Sequence, residues 1–365
     1  MKSYPNKWLE LGYSQADITK RIEEAFAAIF TEEGERFYYP MGEDAGYLMD
    51  TGNYDARTEG MSYGMMMCVQ MDRKDLFDRL WCFSKRYMWH ADGKHQGYFA
   101  WSVGVDGMRN AQGPAPDGEE YYALALFFAS NRWGDGDAPY DYSNQARDIL
   151  KHCVHQHELV EGGHSMWERS NHLIKFIPEA DFSDPSYHLP HFYELFALWA
   201  NEEDRPFWKR AAEASRVYLA KACHAETGLA AEYAHYDGTP ETTRGHSDFF
   251  SDAYRVAMNI GLDCAWFGKT AEYQVIVDHL QTFLHGKEPF MTYTVDGRAI
   301  DPPALHPIAI IVTTAAASLA TDTELSREWL YTFWDTPPRK GERRYYDNCL
   351  YFFCMLMLAG EFRIL

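Results

Sequence analysis

The sequence predicts an all-α fold, an (α/α)6 barrel of twelve helices in six pairs, with short strands only in the rim loops. Three observations support this fold class. Apolar residues recur with helical spacing in twelve segments of the 365-residue chain. The connections between these segments alternate between short and long. Every second segment begins about 60 residues after the one before it, which indicates a structural repeat of two helices.

The helices are expected to begin near residues 14, 57, 73, 117, 141, 188, 205, 247, 270, 305, 323 and 342. In the first of them, Ile18, Ile22 and Phe26 lie on one apolar stripe. The last helix is expected to pair with the first and close the ring. Residues 290–295 carry a strand pattern ahead of an Asp-Gly turn. No flexible linker or charge block divides the chain, so residues 1–365 are expected to form a single domain.

An open helical solenoid is the alternative architecture. Solenoids are built from repeats with a shared sequence signature, and their terminal repeats carry a polar outer face. The helical pairs of this chain share no such signature, and no polar capping unit is visible. The closed ring is therefore the simpler interpretation.

The composition excludes several classes of partner. The 54 acidic and 34 basic residues give a net charge of -20, which argues against nucleic acid and against an anionic membrane surface. No apolar run is long enough for a membrane span, and the N-terminus lacks the pattern of a secretory signal. Seven scattered cysteines indicate a reducing compartment, so a cytoplasmic location is expected. No obligate protein partner is evident from the sequence.

Aromatic residues make up 16 % of the chain, more than a globular core requires. Flat rings with polar rims suit a hydroxylated, uncharged ligand such as a sugar. Six aromatic residues in the expected rim loops are candidates for stacking on a sugar, and core packing is the alternative for each: Tyr98, Phe99, Trp101, Trp133, Trp167 and Tyr236. Trp101 is the strongest candidate because it lies within a long loop.

The predicted geometry brings distant residues together. If the short connections lie on one rim, the long connections and the helix starts that follow them share the other rim. Polar residues stand at those five starts: Glu59, Asp117, Tyr187, Asp252 with Arg255, and His306. Two or three carboxylates, a tyrosine, an arginine and a histidine are therefore expected to meet in one cleft.

Each carboxylate also has a structural interpretation. The helix dipole favours acidic residues such as Glu59 in a first turn. Asp117 is a good N-cap, a role compatible with sugar binding. Asp252 can pair with Arg255 three residues on. The apolar helix that follows Glu59 favours the functional interpretation, because poor hydration raises the pKa of a carboxyl and suits it to act as an acid.

Two carboxylates across an aromatic-lined cleft are the minimal apparatus for glycoside hydrolysis. One protonates the leaving oxygen, and the other activates water or attacks the sugar. The sequence contains no dinucleotide-binding or phosphate-binding glycine motif, no nucleophile elbow and no zinc-binding histidine or cysteine motif. We therefore expect no cofactor and no catalytic metal.

Four segments resemble motifs of glycoside hydrolase family 8, the inverting (α/α)6-barrel family of chitosanases, cellulases and xylanases. They are residues 58–64 (TEGMSYG), 115–119 (APDGE), 184–187 (DPSY) and 251–256 (SDAYRV). The second segment departs from the family pattern, which often has Ser or Thr in place of Pro116 and Asp in place of Glu119. The resemblance extends over nearly the whole chain.

This resemblance implies a role for each site residue. Glu59 is expected to protonate the glycosidic oxygen as general acid. Asp252 is expected to take a proton from the attacking water as general base, with Tyr187 and Arg255 orienting water and base. Asp117 is expected to hydrogen-bond the distorted sugar at the cleaved bond. A single displacement at a β-1,4 bond produces the α anomer.

Within the family, the chain is most similar to the reducing-end xylose-releasing exo-oligoxylanases. The feature is Leu305-His306-Pro307, which resembles the loop that closes the cleft after one leaving-group sugar. The implied substrate is a xylooligosaccharide, and Trp101 and His306 are expected to bind it. Two alternatives are an endo-acting xylanase or glucanase of the same family, and a non-catalytic oligosaccharide-binding protein.

Overall fold

The computed structural model describes residues 4–268 and 271–365. Thirteen α-helices run through these residues, and most of the expected helix starts agree with the observed ones within about two residues. The helices are Lys7–Glu10 (α1), Gln15–Phe30 (α2), Thr58–Gln70 (α3), Lys74–Phe83 (α4), Pro116–Trp133 (α5), Tyr142–Leu159 (α6), Pro190–Trp199 (α7), Arg205–Ala222 (α8), Arg255–Phe267 (α9), Ala271–Leu284 (α10), Pro307–Ala316 (α11), Glu324–Asp335 (α12) and Arg344–Leu358 (α13).

Two expected starts need comment. The start near residue 270 lies outside the described residues. The start near residue 247 is wrong, because a strand over Asp248–Phe249 and a 3-10 turn over Ser251–Tyr254 precede α9. Phe249 pairs with Tyr293 of a neighbouring strand, so its apolar side chain serves a sheet and not a helix. Asp252 consequently lies in the 3-10 turn ahead of the helix.

All strands of the described residues are short and lie in connections between helices. They are Tyr38–Met41 (β1), Ala45–Leu48 (β2), Asp55–Arg57 (β3), Ser102–Gly104 (β4), Trp167–Glu168 (β5), Leu173–Ile174 (β6), Asp248–Phe249 (β7), Met291–Thr294 (β8) and Ala299–Pro303 (β9). The first six form antiparallel pairs, and β7, β8 and β9 form a three-stranded sheet in that order. The strand expected at residues 290–295 is confirmed as β8.

The chain groups into two compact units. The first unit comprises the residues up to 27 together with 181–191 and 213–363. Its centre is α9, which is buried along most of its length. A Cβ atom on Gly261 would lie 2.4 Å from the carbonyl oxygen of Ala316, so α9 and the end of α11 pack backbone to backbone. The expected pairing of the first and last long helices is confirmed by Phe26, whose ring lies 5.7 Å from that of Phe352.

The second unit comprises residues 28–180 and 192–212 with the last two residues of the chain. Its inner helices are α3 and α5, which are apolar on nearly all sides and therefore buried. Tyr63 of α3 packs edge-on against Tyr121 of α5, with ring centroids 4.6 Å apart. A Cβ atom on Gly118 would lie 2.5 Å from Cβ of Thr58, so only glycine permits this approach. The N-terminal ends of α3 and α5 are therefore in direct contact.

Among residues 4–268 and 271–365, no helix combines the length and the hydrophobicity that crossing a membrane requires.

Candidate active site

Glu59 is the second residue of α3 and is half-buried. The segment that carries Trp101 is attached directly to this helix start. The amide N–H of Thr58 donates to the carbonyl of Trp101 at 3.0 Å, and Arg57 of β3 pairs with Ser102 of β4. Trp101 therefore lies beside the residue that begins the helix of Glu59.

The ring of Trp101 is 37 % exposed and is held in place. The guanidinium carbon of Arg57 lies 5.4 Å from the ring centroid, a cation–π contact. Two carboxylates fix that guanidinium, Asp55 at 3.0 Å and Asp50 at 3.3 Å. An exposed and immobilised ring is what stacking on a sugar requires.

Asp117 is buried at the second position of α5. The suggestion that it caps the helix is wrong. The cap position is Ala115, because Pro116 takes the first helical position, where its missing N–H costs nothing. The carboxylate of Asp117 accepts a hydrogen bond of 2.9 Å from the amide of Gly118. Gly118 and Thr58 are in contact where the N-terminal ends of α5 and α3 meet. Asp117 and Glu59, each the second residue of its helix, therefore lie at two adjoining helix ends.

Four of the six aromatic candidates serve the packing of the second unit. Tyr98, Phe99 and Trp167 are fully buried, and the Tyr98 hydroxyl donates to the carbonyl of His152 at 3.0 Å. Trp133 donates its indole N–H to Asp72 at the far end of α5. The stacking interpretation is therefore wrong for Tyr98, Phe99, Trp133 and Trp167. Tyr236, in the first unit, is half-buried.

The first unit holds Asp252, Arg255 and Tyr187. The carboxylate of Asp252 is 31 % exposed, and its Oδ1 lies 3.1 Å from Nη2 of Arg255, whose side chain is 2 % exposed. The predicted pair three residues apart is therefore confirmed. The same guanidinium lies 5.5 Å from the ring centroid of Tyr187, which belongs to a 3-10 turn over Pro185–Tyr187. Asn259 of α9 fixes that turn by donating to the carbonyl of Ser186 at 2.9 Å.

Two buried carboxyls near Asp252 escaped the sequence analysis. Burial raises the pKa of Asp184 well above its usual range, the negative charge of Asp252 adds to this, and Arg255 opposes it. Burial also raises the pKa of Glu232 to about 7, again with a contribution from Asp252, while His246 opposes it through a 2.8 Å contact. Asp184 lies in the quoted DPSY segment and was within reach of sequence reasoning. Glu232 lies in a long connection without any periodic pattern, so no local signal marks it.

His306 occupies the N-cap position of α11, but its side chain makes no capping hydrogen bond. Asp347 of α13 supplies the cap, because its Oδ1 accepts the amide N–H of Ala309 at 2.7 Å. The other carboxylate oxygen lies 3.1 Å from Nδ1 of His306. The His306 side chain therefore does not cap α11, and the imidazole is held by a residue from another helix.

Within residues 4–268 and 271–365, no group of three or more His, Cys, Asp or Glu side chains is arranged to hold a metal ion.

The family model of the glycosyl hydrolases family 8 matches residues 24–360. The chain belongs to glycoside hydrolase family 8. It is 57 % identical to the reducing end xylose-releasing exo-oligoxylanase of Halalkalibacterium halodurans, over 100 % of this chain and 95 % of the relative. It is 52 % identical to the enzyme of the same name from Bifidobacterium adolescentis, over 97 % of this chain and 95 % of that relative.

Solved structures agree with this membership of family 8. The crystal structure of a reducing-end-xylose releasing exo-oligoxylanase matches with a TM-score of 0.97 at 57 % identity, over 99 % of this chain and 97 % of that chain. Related structures carry a substituted glutamate, tyrosine or aspartate, and two contain xylobiose or xylose. The likeness confirms the predicted fold class, an (α/α)6 barrel. The chain is a glycoside hydrolase.

Proposed function

We propose that this enzyme hydrolyses β-1,4-xylooligosaccharides and releases xylose from their reducing end, with inversion at the anomeric carbon. One observation carries the substrate assignment: enzymes named for this activity are 52–57 % identical to the chain over nearly their full length. These alignments cover 97–100 % of this chain and 95–97 % of the relatives. The same barrel can also host endo-acting enzymes, so the product pattern is the property to test.

We propose that Glu59 is the general acid and Asp252 the general base. The glutamate, tyrosine and aspartate substituted in the related crystal structures are separated by the same two sequence intervals as Glu59, Tyr187 and Asp252. Residues chosen for substitution in solved structures of a hydrolase are those expected to touch the reaction. The coincidence of both intervals supports the assignment of all three residues.

The surroundings of Asp252 suit a base. The ion pair with the buried guanidinium of Arg255 engages Oδ1 and restrains the carboxylate. The partly exposed Asp252 retains a second oxygen, Oδ2, with which to take a proton from water. Tyr187 packs on the same guanidinium, so Asp252 and Tyr187 share Arg255 as a partner. In this proposal the Tyr187 hydroxyl and Arg255 orient the attacking water and the base.

Substrate binding is proposed for three further residues. Asp117 hydrogen-bonds the sugar at the cleaved bond, since it occupies the helix end that adjoins the start of α3. Trp101 stacks on a sugar ring, because it is the exposed ring fixed beside Glu59. His306 closes the leaving-group side after one xylose and hydrogen-bonds the anomeric hydroxyl of that xylose.

We also propose that residues 1–365 act as one catalytic domain, supported by the family match over residues 24–360.

A cytoplasmic location is proposed from the cysteines. All seven are free thiols, and six of them are buried. Free thiols in this number are typical of a reducing compartment.

The test compares xylotriose with its alditol, in which the reducing end is an open-chain alcohol. We expect xylose and xylobiose from xylotriose and no cleavage of the alditol, with the new reducing end appearing first as the α anomer in proton NMR. An endo-acting enzyme would cleave both compounds, and a binding protein would cleave neither. A β anomer would mean a retaining mechanism.

A further inference from the structure

The N-terminal turn of α13 contacts the loop that carries His306. We propose that Asp347 is a positioning residue that determines which ring nitrogen of His306 faces the leaving-group xylose, with Arg339 as its counter-ion. This inference rests on the proposed function and adds to it a device that recognises the reducing end of the substrate.

Asp347 is a fully buried carboxylate with three polar partners. Its Oδ1 accepts the amide N–H of Ala309 at 2.7 Å, and its Oδ2 contacts both Nη1 of Arg339 and Nδ1 of His306, the latter at 3.1 Å. A buried carboxylate is retained in a fold only when such partners satisfy it. Asp347 therefore joins α13, the start of α11 and the imidazole in one arrangement.

These contacts determine the tautomer of His306. Arginine can only donate, so the Oδ2 atom that faces Arg339 is an acceptor. The Nδ1 atom of His306 lies 3.1 Å from the same oxygen and farther, 3.5 Å, from Nη1 of Arg339. The shorter contact is with the carboxylate acceptor, so we assign the hydrogen to Nδ1. In the neutral imidazole Nε2 is then an acceptor. The histidine presents to the substrate a group that accepts a hydrogen bond.

Arg339 is fixed independently of Asp347. Its guanidinium also donates to the carbonyl of Leu305 at 2.7 Å, which anchors the residue before His306. Its main chain is clamped by Asn348, which accepts from the amide of Arg339 at 2.7 Å and donates to its carbonyl at 2.9 Å. The Arg339 guanidinium is therefore preorganised. It holds the loop through the carbonyl of Leu305 and the imidazole through Asp347.

Tyr346 restricts the rotation of the imidazole. Its ring centroid lies 4.8 Å from that of His306, at an interplanar angle of 55°. The side chain of His306 is only 11 % exposed. A flipped ring would lose the contact with Asp347 inside this packed environment, so one orientation of the imidazole is selected.

An acceptor at Nε2 matches the chemistry of a free reducing end. The hemiacetal hydroxyl is the most acidic hydroxyl of a sugar and hence its strongest hydrogen-bond donor. A sugar joined onward through that oxygen has no hydrogen to donate there. The Asp347–His306 pair therefore selects chains that end at this position, on chemical as well as steric grounds.

The first test uses the unmodified enzyme. Long-range proton–nitrogen NMR of the imidazole at about pH 8, where an ordinary histidine is neutral, distinguishes the two tautomers. His306→Gln identifies the signals of His306 by their loss. We expect the hydrogen on Nδ1. A hydrogen on Nε2 would overturn the inference, whatever the enzyme does to xylotriose.

The second test changes Asp347. In Asp347→Asn the new amide must keep its oxygen toward the N–H of Ala309, so its NH2 group faces Nδ1. The hydrogen of His306 then moves to Nε2, which can no longer accept from the sugar. We expect kcat/KM for xylotriose to fall by about 10- to 100-fold, the loss of one substrate hydrogen bond.

A double-mutant cycle separates positioning from mere structure. In a His306→Ala background, Asp347→Asn should change kcat/KM by less than about 2-fold, because a residue that acts through His306 has nothing left to act on. Equal losses in both backgrounds would contradict the inference. Circular dichroism and urea unfolding monitor the fold of each variant.

Arg339→Met provides a variant that leaves Asp347 in place, and Arg343→Met is its matched control, four residues along the chain. We expect Arg339→Met to lower kcat/KM for xylotriose at least about 5-fold and Arg343→Met to leave it unchanged. Equal activity of the two variants would overturn the role of the counter-ion.

If the enzyme itself releases no xylose from xylotriose, the proposed function fails, whereas the tautomer measurement still decides the assignment of Asp347.

Discussion

The hydroxyl of Tyr346 donates a hydrogen bond of 2.7 Å to the main-chain carbonyl of Ser251, the residue before Asp252. The ring of the same tyrosine packs against His306. One side chain of α13 thus contacts both the turn that carries the proposed base and the residue proposed to bind the leaving-group sugar. A general base must be held to within a fraction of an ångström of its productive position, so this anchor has a functional consequence.

Tyr346→Phe is expected to lower kcat for xylotriose by about 3- to 30-fold, because the Ser251 carbonyl loses its donor and the turn of Asp252 gains freedom. KM should change less, since the packing of the ring on His306 remains. Steady-state kinetics with xylotriose measure both. Tyr331→Phe, at an exposed tyrosine of α12, is the control and should behave like the unmodified enzyme. Unchanged kcat in Tyr346→Phe would show that the turn needs no such anchor.

Glu59→Gln and Asp252→Asn are each expected to lower kcat by at least about 100-fold while the protein stays folded, because an amide can neither donate nor accept the required proton. Both changes preserve side-chain shape. Release of xylose from xylotriose is the measurement, and unfolding by urea checks the fold. Glu24→Gln and Asp322→Asn, two exposed carboxylates, serve as matched controls. Near-native turnover in either site variant would refute the corresponding role.

His306→Ala is expected to slow the cleavage of xylotriose by about 1–3 kcal/mol in transition-state stabilisation, because one hydrogen bond to the leaving-group xylose is lost. Removal of the ring should also open the blocked side, so that xylobiose is released from xylohexaose. Chromatography of early products measures this. Native rates together with xylose as the only product would rule out the exo-acting role of this loop without affecting the hydrolase assignment.

Glu232→Gln is expected to make stability less dependent on pH. Burial raises the pKa of Glu232 from 4.5 to about 7, so between these values the folded protein retains a proton that the unfolded chain has released. The free energy of unfolding of the native protein therefore falls as pH rises through this window. Glutamine cannot titrate, so the variant should gain on the order of 1–3 kcal/mol relative to the native protein between pH ~5 and pH ~8.

Urea unfolding at the two pH values measures this difference. Glu226→Gln, at an exposed glutamate of the same connection, is the control and should follow the native protein. A native-like pH dependence in Glu232→Gln would show that this carboxyl does not hold its proton through the window.

Gly118→Ala is expected to lower the free energy of unfolding by about 1–3 kcal/mol, because the new methyl group would lie 2.5 Å from Cβ of Thr58. The two helix ends that carry Glu59 and Asp117 must then separate, so kcat should fall as well. Gly113→Ala is the matched control, since no atom lies within 4 Å of the added methyl group. Equal stability of the two variants would show that α3 and α5 tolerate a wider spacing.

The helices could be predicted because their signal is local. An apolar stripe such as that of Ile18, Ile22 and Phe26 is present in the sequence itself, and a window of about 11–18 residues is enough to show its period. The pair of Asp252 and Arg255 was predictable for the same reason, since three residues along a helical turn bring side chains together. The four segments that resemble family motifs could also be recognised, because each is a run of consecutive residues.

Tertiary structure decided what depends on distant partners. The sequence around Phe249 has a helical pattern, but Phe249 pairs with Tyr293 of β8 in a sheet. Helix α9 therefore begins only at Arg255. The cap of α11 comes from Asp347, 41 positions beyond His306, and no local pattern around His306 indicates this. The pKa of Glu232 rises because folding removes water and brings Asp252 near.

The sequence alone determined where helices form and which chemical groups stand at their starts, because hydrophobic periodicity and capping preference act over a few residues. Only packing decided which of these groups meet and how each is charged, because desolvation and hydrogen bonding depend on atoms that approach from elsewhere in the chain.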